Sequence, residues 1–280
     1  LDPAAVGPGQ AGLDAVLAAY REQIAVVEAA GAKVIIMASR ALAKVARGPE
    51  DYLAIYGTIL SEVKEPVVLH WLGTMFDPSL AGYWGSPDID AATATFSQLV
   101  DGHAEKVDGV KVSLLDAGHE VALRASLPAG VRLYTGDDFN YPELIDGDGT
   151  HHSDALLGIF AAIAPAASTA LQEYDAGRPA VARAILDSTR NLGLHIFQAP
   201  TYYYKTGIAF LAWLNGFQPG FSMIGGLHAG RDVNHLVTLF RLANTAGLLL
   251  DPELAATRMA GFLNTAGIPA TVSVLEGVNA

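Results

Sequence analysis

Cysteine does not occur in the 280 residues. Its absence excludes disulfides, thiolate metal centres and cysteine nucleophiles, and it suits a reducing compartment. Charge is sparse as well. Only 16% of the residues are charged, and 17 Lys+Arg against 29 Asp+Glu leave a net charge of −12. With no basic patch to meet a phosphate backbone, nucleic-acid binding is disfavoured. Long apolar runs are missing too. A membrane helix needs about 18 or more consecutive apolar residues. The richest stretch, 155–171, is Ala-heavy and broken by Pro165. No membrane span, no secretory leader and a cytoplasmic location are therefore expected. No Gly-x-Gly-x-x-Gly turn follows a strand-like segment, which removes support for a dinucleotide site.

What is present is a hydrophobic composition, 51% with a mean hydropathy of +0.30. Parallel sheets covered on both faces have such compositions, because their strands read as unbroken apolar runs. A helix is expected over 13–30, then strands at 33–38, 66–71, 109–115, 131–134 and 154–163. Helices are expected over 40–46 and 49–63, and from a cap at Asp88 or Asp90 to about 106. Beyond Pro165 the pattern is helical throughout: 166–175, 178–192, 206–214, 233–246 and 252–263. Alternating strands and helices predict a parallel βα series over 1–165 with a helical segment, 166–280, packed on it. Five strands fall short of the eight in a (β/α)8 barrel. Together with a start at Leu1 rather than Met, this leads to the expectation that the first barrel strands precede this chain.

Lys111 is the sharpest chemical feature. It sits inside Val110-Lys111-Val112-Ser113-Leu114, and lysine is rarely buried without a partner or a purpose. Alternation puts Lys111 and Ser113 on one face and Val110, Val112 and Leu114 on the other. If the apolar set faces the helices, Lys111 points into a barrel, where desolvation favours the free amine that attacks carbonyls. The plainer alternative is a strand-end lysine that reaches solvent or a carboxylate. At the end of the next strand lies Thr135-Gly136-Asp137-Asp138, where barrel enzymes build their sites. An ordinary turn ending in an aspartate cap would read the same way.

A Gly109-Val110-Lys111 strand followed by a strand ending Thr135-Gly136-Asp137-Asp138 resembles the dihydrodipicolinate synthase / N-acetylneuraminate lyase superfamily of class I aldolase-type TIM barrels. The run Ala162-Ile163-Ala164-Pro165 is similar to the exit of that family's last strand, and Tyr204-Lys205-Thr206-Gly207 to its C-terminal helical segment. More closely, the chain resembles the dihydrodipicolinate-synthase-like family known as DUF993. The resemblance implies a Schiff-base role for Lys111, with Gly136 and Asp137 lining the pocket. It also implies that His70 stands where the family has a proton-relaying tyrosine, in His70-Trp71-Leu72-Gly73. Imidazole can serve as acid or base near neutral pH. The family's nearby arginine is absent, with Met75 in that region. Arg40 is an alternative carboxylate binder, though a helix-start arginine is also often merely solvated. The family's oxo-acid-gripping loop is not in this sequence.

The expectation is thus a Schiff-base lyase or aldolase-like enzyme for a small oxo-compound, with Lys111 and His70 catalytic. Ser113, Thr135, Gly136, Asp137, Asp138, Arg40 and Trp71 would bind substrate, with no cofactor and no metal. A dimer or tetramer is left open by analogy. Two other readings remain. The loop holding Asp146, Asp148, His151, His152 and Asp154 could serve a metal-dependent hydrolase or isomerase, or be a solvated turn. Alternatively, the barrel binds a ligand without turnover. Tyr202-Tyr203-Tyr204 beside Lys205 could wall a pocket but reads better as a packed helix start, and the glycine-rich 225–231 segment could touch an anion through backbone amides but reads better as a connection between helices.

Overall fold

The computed structural model describes residues 1–271. By internal contacts the chain forms two compact units. The first contains Leu1–Asp137 and Leu144–Leu156; the second contains Asp138–Glu143 and the described chain from Leu157 on.

In the first unit a 20-residue helix, α1 (Gln10–Ala29), leads into β1 (Ile35–Met37). Next come α2 (Arg40–Val45), α3 (Pro49–Glu62) and β2 (Val67–Leu72), then α4 (Ile89–Gly102), β3 (Val107–Ser113), α5 (Ala117–Ser126) and β4 (Arg132–Thr135). A short α6 (Tyr141–Asp146) precedes β5 (Asp154–Ala155). Helix starts follow local chemistry. Ser39, Asp88 and Asp116 each accept a backbone N–H of the first turn of α2, α4 and α5, and Pro49 opens α3. Of the two aspartates proposed to start α4, Asp88 is the cap.

The five strands are parallel and lie in chain order, β1-β2-β3-β4-β5. That order is the one consecutive βα units take in a (β/α)8 barrel, and it makes the first unit an α/β fold of the expected class. Ile36, Leu69, Trp71, Val110, Val112 and Leu133 are buried on one sheet face, against the helices. Ile35 and Met37, on the other face of β1, are 44% and 46% exposed, so this strand is not covered on both sides. Two further points differ from the sequence reading. Helix α5 was not marked, and the apolar run 154–163 is a strand for only two residues before a 3-10 turn at Ile159–Ala161.

The second unit is helical: α7 (Ala164–Asp175), α8 (Pro179–Phe197), α9 (Tyr204–Leu214), α10 (Val233–Thr245) and α11 (Pro252–Thr265). Helix α8 packs on α7, α9 and α10, and Phe210, Phe221 and Phe262 form an aromatic centre with Trp213. No helix among the described residues is long and apolar enough to cross a membrane.

Candidate active site on the Lys111 face of the sheet

Strand register decides which side chains meet. In adjacent parallel strands, paired residues project to the same face. Met37 pairs with His70, His70 with Lys111, and Lys111 with Tyr134. One row across four strands therefore carries a thioether, an imidazole, an amine and a phenol. Ser113, two residues beyond Lys111, shares that face and pairs with Leu72.

Within this row the contacts are specific. His70 Nε2 lies 2.9 Å from Ser113 Oγ, and His70 Nδ1 lies 2.9 Å from the Met37 sulfur. A thioether can only accept, so Nδ1 carries the imidazole hydrogen. Nε2 then presents a lone pair, and the Ser113 hydroxyl donates to it. Both residues are buried, while Lys111 is half-buried. Burial, reinforced by the Lys111 ammonium opposite, pushes His70 down to about 3. His70 is accordingly a neutral imidazole at physiological pH.

Gly136 makes the arrangement possible. A Cβ at this position would stand 2.0 Å from Ser113 Oγ, 2.7 Å from the Val112 carbonyl oxygen and 3.0 Å from Lys111 Cε. Only hydrogen fits where the chain leaves β4 across the end of β3. The backbone is tied there, with Gly136 N–H donating to Val112 O at 2.7 Å. Tyr134 faces the same side; its hydroxyl donates to Asp108 at 2.9 Å.

Three expected substrate binders are placed elsewhere. Trp71 lies on the opposite face of β2, buried among Phe96, Trp84 and the His119 ring, because the alternation that puts His70 on the Lys111 face turns Trp71 towards the helices. Thr135 also faces the helices, and its hydroxyl donates to Glu120 at 3.0 Å. Asp138 belongs to the second unit, where its buried carboxylate accepts the Ile159 N–H at 2.7 Å. Asp137 is buried at the end of β4, its N–H donating to Thr135 Oγ1 at 3.1 Å. Arg40 is ion-paired with Asp77. Both line a cavity of about 340 Å³ whose wall includes Met37 and Leu72.

Glu120 was missed in the sequence. It is 1% exposed, and its two carboxyl oxygens accept from Thr135 Oγ1 and, at 2.8 Å, from Ser153 Oγ. Burial, with the Asp137 carboxylate adding to it, pushes Glu120 up to about 7 against the pull of Ser153, Thr135 and Arg124. The available signal was helical spacing: Glu120, Leu123 and Arg124 sit at i, i+3 and i+4, so two charged residues share the buried stripe of α5.

The Asp146–Asp154 loop forms a turn. One Asp148 oxygen accepts the Thr150 and His151 N–H groups at 2.9 and 2.7 Å, between Gly147 at φ 77° and Gly149 at φ 86°. Among the described residues no three His, Asp or Glu side chains converge in a way that could hold a metal ion. In the second unit the Arg231 guanidinium donates to the carbonyl oxygens of Gln198 and Pro200. It is thus occupied within the connection that precedes α10.

Residues 3–268 match the family described as "Protein of unknown function (DUF993)". No curated protein matches. Among solved structures, the chain is similar to one described as a dihydrodipicolinate synthase family protein from Coccidioides immitis, with a TM-score of 0.53 and 15% identity. That similarity covers 81% of this chain and 70% of the other. At such identity it establishes a shared fold, an α/β architecture with a parallel sheet. The chain belongs to the DUF993 family.

Proposed function

We propose that this member of the DUF993 family is a Schiff-base-forming lyase or aldolase-type enzyme acting on a small carbonyl compound through Lys111. The observation that carries the reading is the cluster on one sheet face. Lys111 stands beside His70 across the ladder, Ser113 is hydrogen-bonded to His70, and Gly136 packs against Ser113 and the Lys111 side chain where any Cβ would collide.

The free Lys111 amine adds to the carbonyl carbon, forming a C–N bond while the carbonyl oxygen takes up a proton. The Ser113 hydroxyl, held by its hydrogen bond to the neutral His70 Nε2, relays the proton from the adduct nitrogen to the former carbonyl oxygen, giving the carbinolamine. A further proton, drawn from solvent, converts that hydroxyl to water, which leaves and gives the iminium. The iminium withdraws electrons from the adjacent carbon, so a C–C or C–heteroatom bond there breaks or forms. Arg40, on the wall of the 340 Å³ cavity that also contains Met37, offers a cation for a carboxylate substituent. Asp77 is its competitor for that role.

Borohydride trapping with a panel of small oxo-acids, ketones and aldehydes, followed by mass mapping, tests the reading. A substrate-dependent adduct on Lys111 supports it. Label on another lysine, or no label with any carbonyl in the panel, overturns it.

A further inference from the structure

Met37 takes no proton in the reaction proposed above, yet its contact with His70 is the selective one. His70 has two polar neighbours, Ser113 Oγ at Nε2 and the Met37 sulfur at Nδ1, each 2.9 Å away. They are not equivalent. A hydroxyl both donates and accepts, so Ser113 satisfies Nε2 with or without its hydrogen. A thioether only accepts, so the contact at Nδ1 suits one neutral tautomer alone. The choice of tautomer therefore rests with Met37, and with it the direction of the bond between His70 and Ser113.

Neutrality matters as much as direction. A carboxylate in this place would also take the Nδ1 hydrogen, but its charge would favour the imidazolium, which has no lone pair for Ser113. A water molecule, free to turn, would choose neither tautomer. The thioether takes the hydrogen and adds no charge, so burial and the Lys111 ammonium keep His70 neutral. The backbone that presents the sulfur is itself held. Met37 ends the edge strand β1 in register with His70, and its carbonyl oxygen accepts the Tyr20 hydroxyl of α1 at 2.6 Å. Its side chain also lies on the wall of the 340 Å³ cavity, so one residue touches both the cavity and the imidazole.

We infer that Met37 is a positioning residue: its thioether selects the Nδ1–H tautomer of His70 and so directs the Ser113 hydroxyl hydrogen to Nε2 for the chemistry at Lys111. A proton-transferring side chain oriented by a third group is a general catalytic arrangement, and here the third group is an uncharged sulfur. The consequence for the reaction rests on the Schiff-base reading; the hold of Met37 on His70 rests on their contact alone.

Two measurements on the full chain test the two parts separately. Long-range proton–nitrogen NMR correlation spectra near neutral pH report which nitrogen of His70 carries hydrogen, with His70→Gln identifying its signals. In the wild type Nδ1 is expected to be protonated and Nε2 bare. Met37→Leu keeps the side-chain volume at a 46% exposed position and removes the acceptor, so hydrogen is expected to appear on Nε2. Met37→Glu restores an acceptor, so the Nδ1 hydrogen should return while the His70 titration moves to higher pH. The second measurement is the rate at which the borohydride-trapped adduct forms on Lys111. It should fall about tenfold in Met37→Leu, the lower end of what losing an imidazole's orienting partner costs. In Met37→Glu it should recover at pH values above the His70 titration. A His70 still protonated only at Nδ1 in Met37→Leu overturns the inference, and so does an adduct rate equal to that of the wild type. Absence of adduct in the wild type counts against the Schiff-base reading instead, and the tautomer spectra then still decide whether Met37 governs His70.

Discussion

His70 and Ser113 meet diagonally across the β2–β3 ladder. The residue directly opposite His70 is Lys111, and the one opposite Ser113 is Leu72, yet the 2.9 Å hydrogen bond joins imidazole to hydroxyl. The diagonal leaves Lys111 beside the imidazole without being its hydrogen-bonded partner in this pair. An amine and a proton acceptor are thereby neighbours in the ladder, with the serine hydroxyl bonded to the imidazole.

Replacing Lys111 by Arg retains the positive charge and removes the nucleophile, since guanidinium stays protonated. Adduct formation in the trapping experiment should vanish. Stability in urea should change by less than about 1 kcal/mol, as expected for a half-buried position away from the core. Persistent adduct elsewhere in the chain would show that the labelling did not depend on this site.

His70 gives a pH signature. Its folded value, about 3, lies below the ordinary 6.5, so the unfolded chain takes up the proton first. The stabilising contribution is therefore complete above pH 6.5 and is lost as pH falls from 6.5 toward 3. Its size reaches about 2 kcal/mol by pH 5, at 1.36 kcal/mol per pH unit. Urea titrations of wild type and His70→Gln should converge at acid pH, and the His70 imidazole NMR signals should stay flat between pH 5 and 8.

Glu120 behaves in the opposite sense. Its folded value of about 7 exceeds the ordinary 4.5, so folding favours the protonated acid. That contribution is complete below pH 4.5 and declines as pH rises through 7, by about 3 kcal/mol at most. Glu120→Gln mimics the neutral acid and should flatten this decline between pH 5 and 8. A variant that follows the wild-type curve would show that Glu120 is ionised throughout.

Gly136→Ala brings a methyl group within 2.7 Å of the Val112 carbonyl oxygen and 2.0 Å of Ser113 Oγ. The first obstacle is backbone, so rotamer changes cannot relieve it. A loss of about 1–3 kcal/mol is expected in thermal or urea unfolding, as for other overpacked sites. Trapping at Lys111 should fall with it, whereas Gly130→Ala, with nothing within 4 Å but φ at 90°, should affect stability alone.

Much of the sheet was legible because β-branched runs bounded by helix caps leave few choices, as at 66–71 and 109–115. Lys111 and Ser113 were readable on one face because alternation is local. Helix α5 was not legible: Glu120 and Arg124 interrupt its apolar stripe, and their burial depends on Thr135, Ser153 and Leu144, which are distant in sequence. The run 154–163 misled for the converse reason. Leu157, Ile159 and Ile163 in it are buried, but beyond Ala155 the run is a loop and a 3-10 turn rather than a strand. The faces of Trp71 and Thr135 were not legible, since aromatic and hydroxyl groups at strand ends fit a pocket or a core equally well, and only parity along the strand decides.

The β4–β5 ladder is just two residue pairs long, Tyr134 with Asp154 and Thr135 with Ala155. So short a seam has little to resist peeling. Glu120 grips Thr135 on one side of it and Ser153 on the other. The edge of the sheet is therefore fastened by a rivet driven through from helix α5, and a proton on that rivet decides how firmly it holds.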